Sequence, residues 1–174
     1  MSTVAAARRP LRATFVRSFW PWLSIGARLV VGVVWIVAGY LKLQDIEDSV
    51  RSVRNFQILP EVLVRPVGTG LPIFEVVLGA LLVVGLGLRV TGTLSALLQL
   101  AFIIGIASAW ARGLQIDCGC FGGSGSLAED ATSKYPWELA RDVGLLMLSV
   151  LIAMWPRSKM ALDAVLLPPI DDER

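Results

Sequence analysis

Residues 71–110 read LPIFEVVLGALLVVGLGLRVTGTLSALLQLAFIIGIASAW, and within that run only Glu75 and Arg89 are charged. About 20 apolar residues in a helix cross the roughly 30 Å hydrocarbon layer of a bilayer. The run is about twice as long, and Arg89 marks its division. Two membrane helices are therefore predicted, at about 71–88 and 90–110, folded back on each other as a tight antiparallel hairpin. Pro72 suits the first turn of a helix, where its missing N–H costs nothing. Ala101, Gly105 and Ala109 recur at four-residue spacing, a seam of small side chains against which another helix packs closely.

Working outward, a further apolar helix is predicted at about 22–43, with Arg28 and Lys42 near its ends. Another follows at about 137–155, with Glu138, Arg141 and Asp142 in its first two turns. Between the first two spans, Ile46, Val50, Val53 and Gln57 fall at helical spacing, with Asp45, Glu47, Asp48, Arg51 and Arg54 on the other faces. That pattern predicts a short amphipathic helix lying at the membrane interface. Pro60 and Pro66 are expected to break the chain after it. The fold class is all-α, an integral membrane four-helix bundle over 21–156, with tails at 1–20 and 157–174.

Composition agrees. Of 174 residues, 55% are apolar and 17% are charged, and the charges gather between the apolar runs as they do where a chain alternates between lipid and water. A formal charge of +2 and no basic stripe give nothing to hold nucleic acid. The chain has no histidine, so it lacks the commonest general base and metal ligand. Trp20, Trp22, Trp110, Trp137 and Trp155 sit at helix ends, as an aromatic belt requires, while Trp35 is mid-helix and reads as packing.

Orientation follows from lysine and arginine. With the N-terminus inside, the inner segments hold Arg8, Arg9, Arg12, Arg17, Arg89, Arg157, Lys159 and Arg174. The outer ones hold Arg51, Arg54, Arg65, Arg112 and Lys134. Both tails are then cytoplasmic in a multi-pass plasma-membrane protein, and the loop after the third span is extracytoplasmic. Arg28 is expected to snorkel to the inner interface.

That third loop carries Cys118 and Cys120, the chain's two cysteines, with Gly119 between them. In an oxidising compartment such a pair reaches bonding distance through a small, off-ideal ring. Strained, exposed disulfides exchange readily, and so short a loop gains little from being stapled. A permanent small disulfide and two inert thiols remain the alternatives. Two cysteines lack two of the ligands a metal needs, with Asp117 the nearby help, so no metal site is predicted. Arg112 favours a thiolate and Asp117 opposes one.

Lys42, Glu75, Arg141 and Asp142 all fall toward the same, outer ends of their helices. Ionisable groups at that depth pair with one another, and Glu75 is expected to pair with Arg141 or Lys42. The clustering also admits a quinone among the helices near Glu75, Arg141 and the cysteine loop. The same charges pairing merely to fix helix order is the plainer reading.

Further strings stand out: Ala38-Gly39-Tyr40-Leu41-Lys42-Leu43, Phe56-Gln57-Ile58-Leu59-Pro60, Leu71-Pro72-Ile73-Phe74-Glu75, Arg112-Gly113, Asp117-Cys118-Gly119-Cys120-Phe121-Gly122 and Arg141-Asp142. Over about 24–156 the chain resembles the MauE family, within the wider DoxX-like group of four-helix membrane proteins. The resemblance implies a four-helix bundle and a role in methylamine utilisation, in maturing the disulfide-rich small subunit of methylamine dehydrogenase. MauE-like proteins also occur beside thioredoxin-like proteins. The leading expectation is a membrane thiol–disulfide protein whose Cys118 and Cys120 exchange with an exported thioredoxin-like partner. The other is a non-catalytic assembly or anchoring subunit with a structural disulfide. Whether the chain is itself an enzyme is left open.

Overall fold

A computed structural model describes residues 11–114 and 131–154, with side chains described over 23–114 and 136–154. The described residues form five helices and no strand: α1 (Leu11–Gln44), α2 (Ile46–Asn55), α3 (Glu61–Val84), α4 (Leu88–Ala111) and α5 (Ala131–Met154). Three stretches, Leu23–Gln44, Glu61–Val84 and Leu88–Ala111, are long and apolar enough to cross a membrane. α5 matches α3 and α4 in length, at 24 residues, but Glu138, Arg141 and Asp142 make its first half polar.

The bundle is apolar outside and partly polar inside. Val30, Val33, Val77, Leu97, Ile104 and Met147 are exposed, while Ser24, Arg28, Glu75, Ser95, Asp142 and Ser149 are buried. A protein folded in water reverses that arrangement. It fits a lipid surround, and the chain is an all-α, multi-pass membrane protein.

α1 packs along α3 and α4 along α5, and α1 also meets α5. α3 and α4 are joined by the turn at Gly85-Leu86-Gly87, where Gly85 (φ 82°) and Gly87 (φ 57°) both take the left-handed conformation that glycine adopts without strain. They make few contacts with each other beyond it. The predicted hairpin is thus a connection more than a packing unit.

Close backbone approach locks α1 to α3. A Cβ at Gly79 would lie 2.6 Å from the Gly32 carbonyl oxygen, and one at Gly32 would lie 2.9 Å from that of Gly79. Gly39 meets the Pro72 carbonyl in the same way, at 2.7 Å. On α4 the close approach is at Gly92, whose Cβ would come within 2.9 Å of the Ala153 nitrogen on α5. The expected seam of Ala101, Gly105 and Ala109 is buried at Gly105 and Ala109 but receives no helix backbone at Gly105. Its nearest neighbour at Gly105 is the Phe56 ring, 3.9 Å from an added Cβ, and Ala101 is exposed.

The helix expected from 71 begins at Glu61, and Pro66 lies inside it with Pro60 as its N-cap. Pro66 does not end the helix because it withholds its amide only from Val62, in an exposed first turn where a free carbonyl costs little. Pro72 withholds its amide from the carbonyl of Gly68, which is buried. There the Ser49 hydroxyl of α2 donates to the Gly68 oxygen at 2.8 Å. A Cβ at Gly68 would stand 2.7 Å from the Val50 Cα, so α2 lies directly on α3. Asp45 caps α2 by accepting from the Asp48 amide at 3.0 Å. Arg54 bonds Glu61 through Nε at 2.9 Å, tying the end of α2 to the start of α3. The amphipathic helix read from the sequence is therefore clamped onto the protruding end of α3.

Arg28 is buried on α1 instead of snorkelling. Ser24, Arg28, Val31, Trp35 and Ala38 form one buried stripe at helical spacing, so the face it occupies decides its fate more than its depth.

Two outcomes are expected. Ser49→Ala leaves a buried carbonyl without its donor and costs about 1–3 kcal/mol. Gly79→Val forces α1 from α3 at a cost of about 1–3 kcal/mol or more. Both are read as a lower midpoint in denaturant unfolding of the detergent-purified protein.

Candidate functional site

α3 overhangs the end of α1, so Glu75 is deeper than one turn from the start of its helix. It lies 14 residues beyond Glu61, about 21 Å at the helical rise. Lys42, two residues before the end of α1, reaches it because helical side chains lean toward the N-terminus of their own helix. Lys42 Nζ is 2.6 Å from Glu75 Oε1, with the two side chains 12% and 0% exposed. The ammonium also stands 5.0 Å from the centroid of the Phe102 ring, an additional favourable contact for a cation.

Arg141 pairs with its own neighbour on α5: its Nη2 is 2.9 Å and its Nε 3.0 Å from Asp142 Oδ1. The second oxygen of each carboxylate, Glu75 Oε2 and Asp142 Oδ2, is buried with no hydrogen-bond partner. A pocket of about 20 Å³ opens between the two pairs, lined by Trp35, Lys42, Glu75, Gln99, Arg141 and Asp142 among others. That space suits one water molecule. A quinone ring is too large for that space alone.

Beside this cluster the two helix pairs are pinned together. The Trp35 indole donates to Ser95 Oγ at 2.7 Å, Ser95 and Ser149 hydroxyls are 2.9 Å apart, and Ser149 donates to the Leu145 carbonyl at 2.9 Å. Trp35 and Phe102 rings are tilted at 38° with centroids 5.9 Å apart. Trp35, midway along its span, is thus both packing and a hydrogen-bond donor.

The structure therefore brings Lys42, Glu75, Arg141 and Asp142 together. Arg112 stands apart: it donates to the Phe56 carbonyl at 2.5 Å and to its own Ser108 carbonyl at 3.1 Å. Asp117, Cys118 and Cys120 lie outside the described residues. Ser95, Gln99, Phe102 and Ser149 were not singled out from the sequence. Ser95, Gln99 and Phe102 nonetheless share one face of α4 at helical spacing, and Asp142, Leu145 and Ser149 share one of α5. Two polar residues at that spacing in an apolar run are the signal that finds them.

A second, larger cavity of about 520 Å³ lies on the other side of Lys42, between the end of α1, α2, the start of α3 and α4. Lys42 and Phe102 line both spaces. Among the described residues no group of three or more potential metal ligands occurs.

Comparison with known proteins places this arrangement. The family model described as methylamine utilisation protein MauE matches residues 20–156. The chain is 33% identical over 102 residues to the methylamine utilization protein MauE of Paracoccus denitrificans, covering 58% of this chain and 55% of that protein. It is 34% identical over 119 residues to the protein of the same name from Methylorubrum extorquens, covering 68% of this chain and 58% of that one. The chain thus spans a little over half the length of these curated relatives. No solved structure matches it.

The buried Lys42–Glu75 pair sets a further expectation. Lys42→Met strands a carboxylate inside the bundle and costs about 3–5 kcal/mol, whereas Lys42→Met combined with Glu75→Leu recovers most of that loss. Denaturant unfolding of the single and double variants in micelles measures both.

Proposed function

This chain belongs to the MauE family, and we propose that it serves methylamine utilisation as a membrane thiol–disulfide protein. In this reading four helices cross the plasma membrane, with α5 as the fourth, and both tails are cytoplasmic. Cys118 and Cys120 face the extracytoplasmic side and exchange with an exported thioredoxin-like partner. One cysteine attacks the partner's disulfide, forming a mixed disulfide and releasing a partner thiolate. The second cysteine then resolves it, leaving the partner as a dithiol and the Cys118–Cys120 pair oxidised; the reverse sequence runs by the same steps.

The observation that carries this reading is the Cys118-Gly119-Cys120 sequence, which follows the end of α4 at Ala111 by six intervening residues; that end of α4 lines the large cavity beside the Lys42–Glu75 pair. The concentration of arginine in the N-terminal tail supports the orientation. The place in methylamine utilisation is supported by the names of the two curated relatives.

In spheroplasts, a membrane-impermeant maleimide is expected to label both cysteines only after mild reduction. Cys118→Ser or Cys120→Ser is expected to trap a mixed disulfide with an exported protein, seen as a reductant-sensitive band. Labelling that requires permeabilisation sinks the orientation. A Cys118→Ser/Cys120→Ser variant with full function makes the chain an anchoring subunit instead.

A further inference from the structure

The cavity of about 520 Å³ falls within the roughly 300–1,000 Å³ of small-molecule sites. Its walls are apolar and partly aromatic, including Leu41, Phe56, Leu98, Phe102 and Ile106. Its polar groups are few and placed on one side. Lys42 carries three N–H donors, of which Glu75 accepts one. Ser52 brings a hydroxyl to the same space, and exposed Asp45 and half-buried Asp48, the latter paired with Arg51, also line it. The Asp45 carboxylate there repels the phosphate of an anionic lipid. A neutral molecule with an apolar body and carbonyl acceptors suits the apolar walls and the Lys42 and Ser52 donors.

We propose that this cavity binds the ring of a membrane quinone, with Lys42 donating a hydrogen bond to a ring carbonyl. The tail leaves between helices toward the lipid, and Phe56 and Phe102 flank the ring. Glu75 holds the Lys42 ammonium in place, so it acts as a positioning residue.

A short stretch of chain links the site to the cysteines. Arg112 bonds the carbonyl of Phe56, which lines the cavity. The chain runs on from there to Leu114, four residues before Cys118, a separation of at most about 14 Å by chain length. The redox use of the site rests on the thiol reading proposed above; the binding does not. In that use the Cys118–Cys120 dithiol loses two electrons and two protons to form its S–S bond. The quinone gains both and leaves as the quinol.

The test titrates full-length, detergent-purified protein calorimetrically with decylubiquinone and, separately, with dodecanol. Saturable binding of the quinone, and none comparable of the alcohol, is expected. Ala101→Phe projects a ring into the cavity from an exposed position on α4 and is expected to weaken quinone binding by about tenfold or more without lowering the unfolding midpoint. If that variant does not fold, Ser52→Leu fills the opposite wall and is read in the same way. The Cys118→Ser/Cys120→Ser variant is expected to bind quinone as the wild type does. Equal binding of dodecanol overturns the proposal in favour of an alkyl-chain site. No quinone binding, or binding that neither cavity variant weakens, also overturns it. Loss of quinone binding in a protein that still exchanges disulfides leaves the thiol reading standing. Quinone binding by a protein whose cysteines exchange with nothing does the reverse.

Discussion

A lysine and a glutamate meet inside a bundle whose outer surface is valine, leucine and isoleucine, and their separation of 2.6 Å leaves little freedom to the helices that carry them. Both charges are largely withdrawn from solvent, so each makes the other necessary. The pair forms only if α1 and α3 lie in one register and nearly touch. The glycine contacts of Gly32, Gly39 and Gly79 supply that approach. The second helix pair has its own glycine contact at Gly92 and its own buried ion pair, Arg141–Asp142. The Trp35 indole then joins the two halves through Ser95 and Ser149. Polar groups thus specify this interior, and lipid-facing apolar residues merely permit it.

Much of this was legible in the sequence, and the part that was not has identifiable causes. The spans were readable because long uncharged runs have few other uses. Glu75 finding Lys42 was readable because a charge in a span needs a partner and few were near. Arg141 choosing Asp142 was not, since two neighbouring residues on a helix do not usually face each other and the burial that favours it is tertiary. The start of α3 was misplaced because a proline was taken to end a helix. Pro66 does not, for its orphan carbonyl is in an exposed turn, and Pro72 does not, for its orphan is met by Ser49. The large cavity was invisible because its walls come from four separate elements.

The two cavities divide the labour suggested by the sequence. The polar cluster of Glu75, Arg141 and Asp142 lines a space of about 20 Å³ that suits a water. The roomy space lies one lysine away, on the side of α2 and of the segment that leads to Cys118. Lys42 belongs to both, so whatever occupies the large space is in direct electrostatic contact with the buried carboxylates.

The bond from Ser49 to the Gly68 carbonyl also constrains how the molecule is put together. While α3 is alone in lipid, Pro72 leaves that carbonyl without a donor, and in hydrocarbon such a group is costly. α3 therefore cannot reach its final stability during insertion. It must wait until α2, which lies on the far side of a span from the N-terminal tail, folds down upon it. Assembly has a compulsory closing act, performed by a short helix that crosses nothing, and the same act builds the wall of the large cavity.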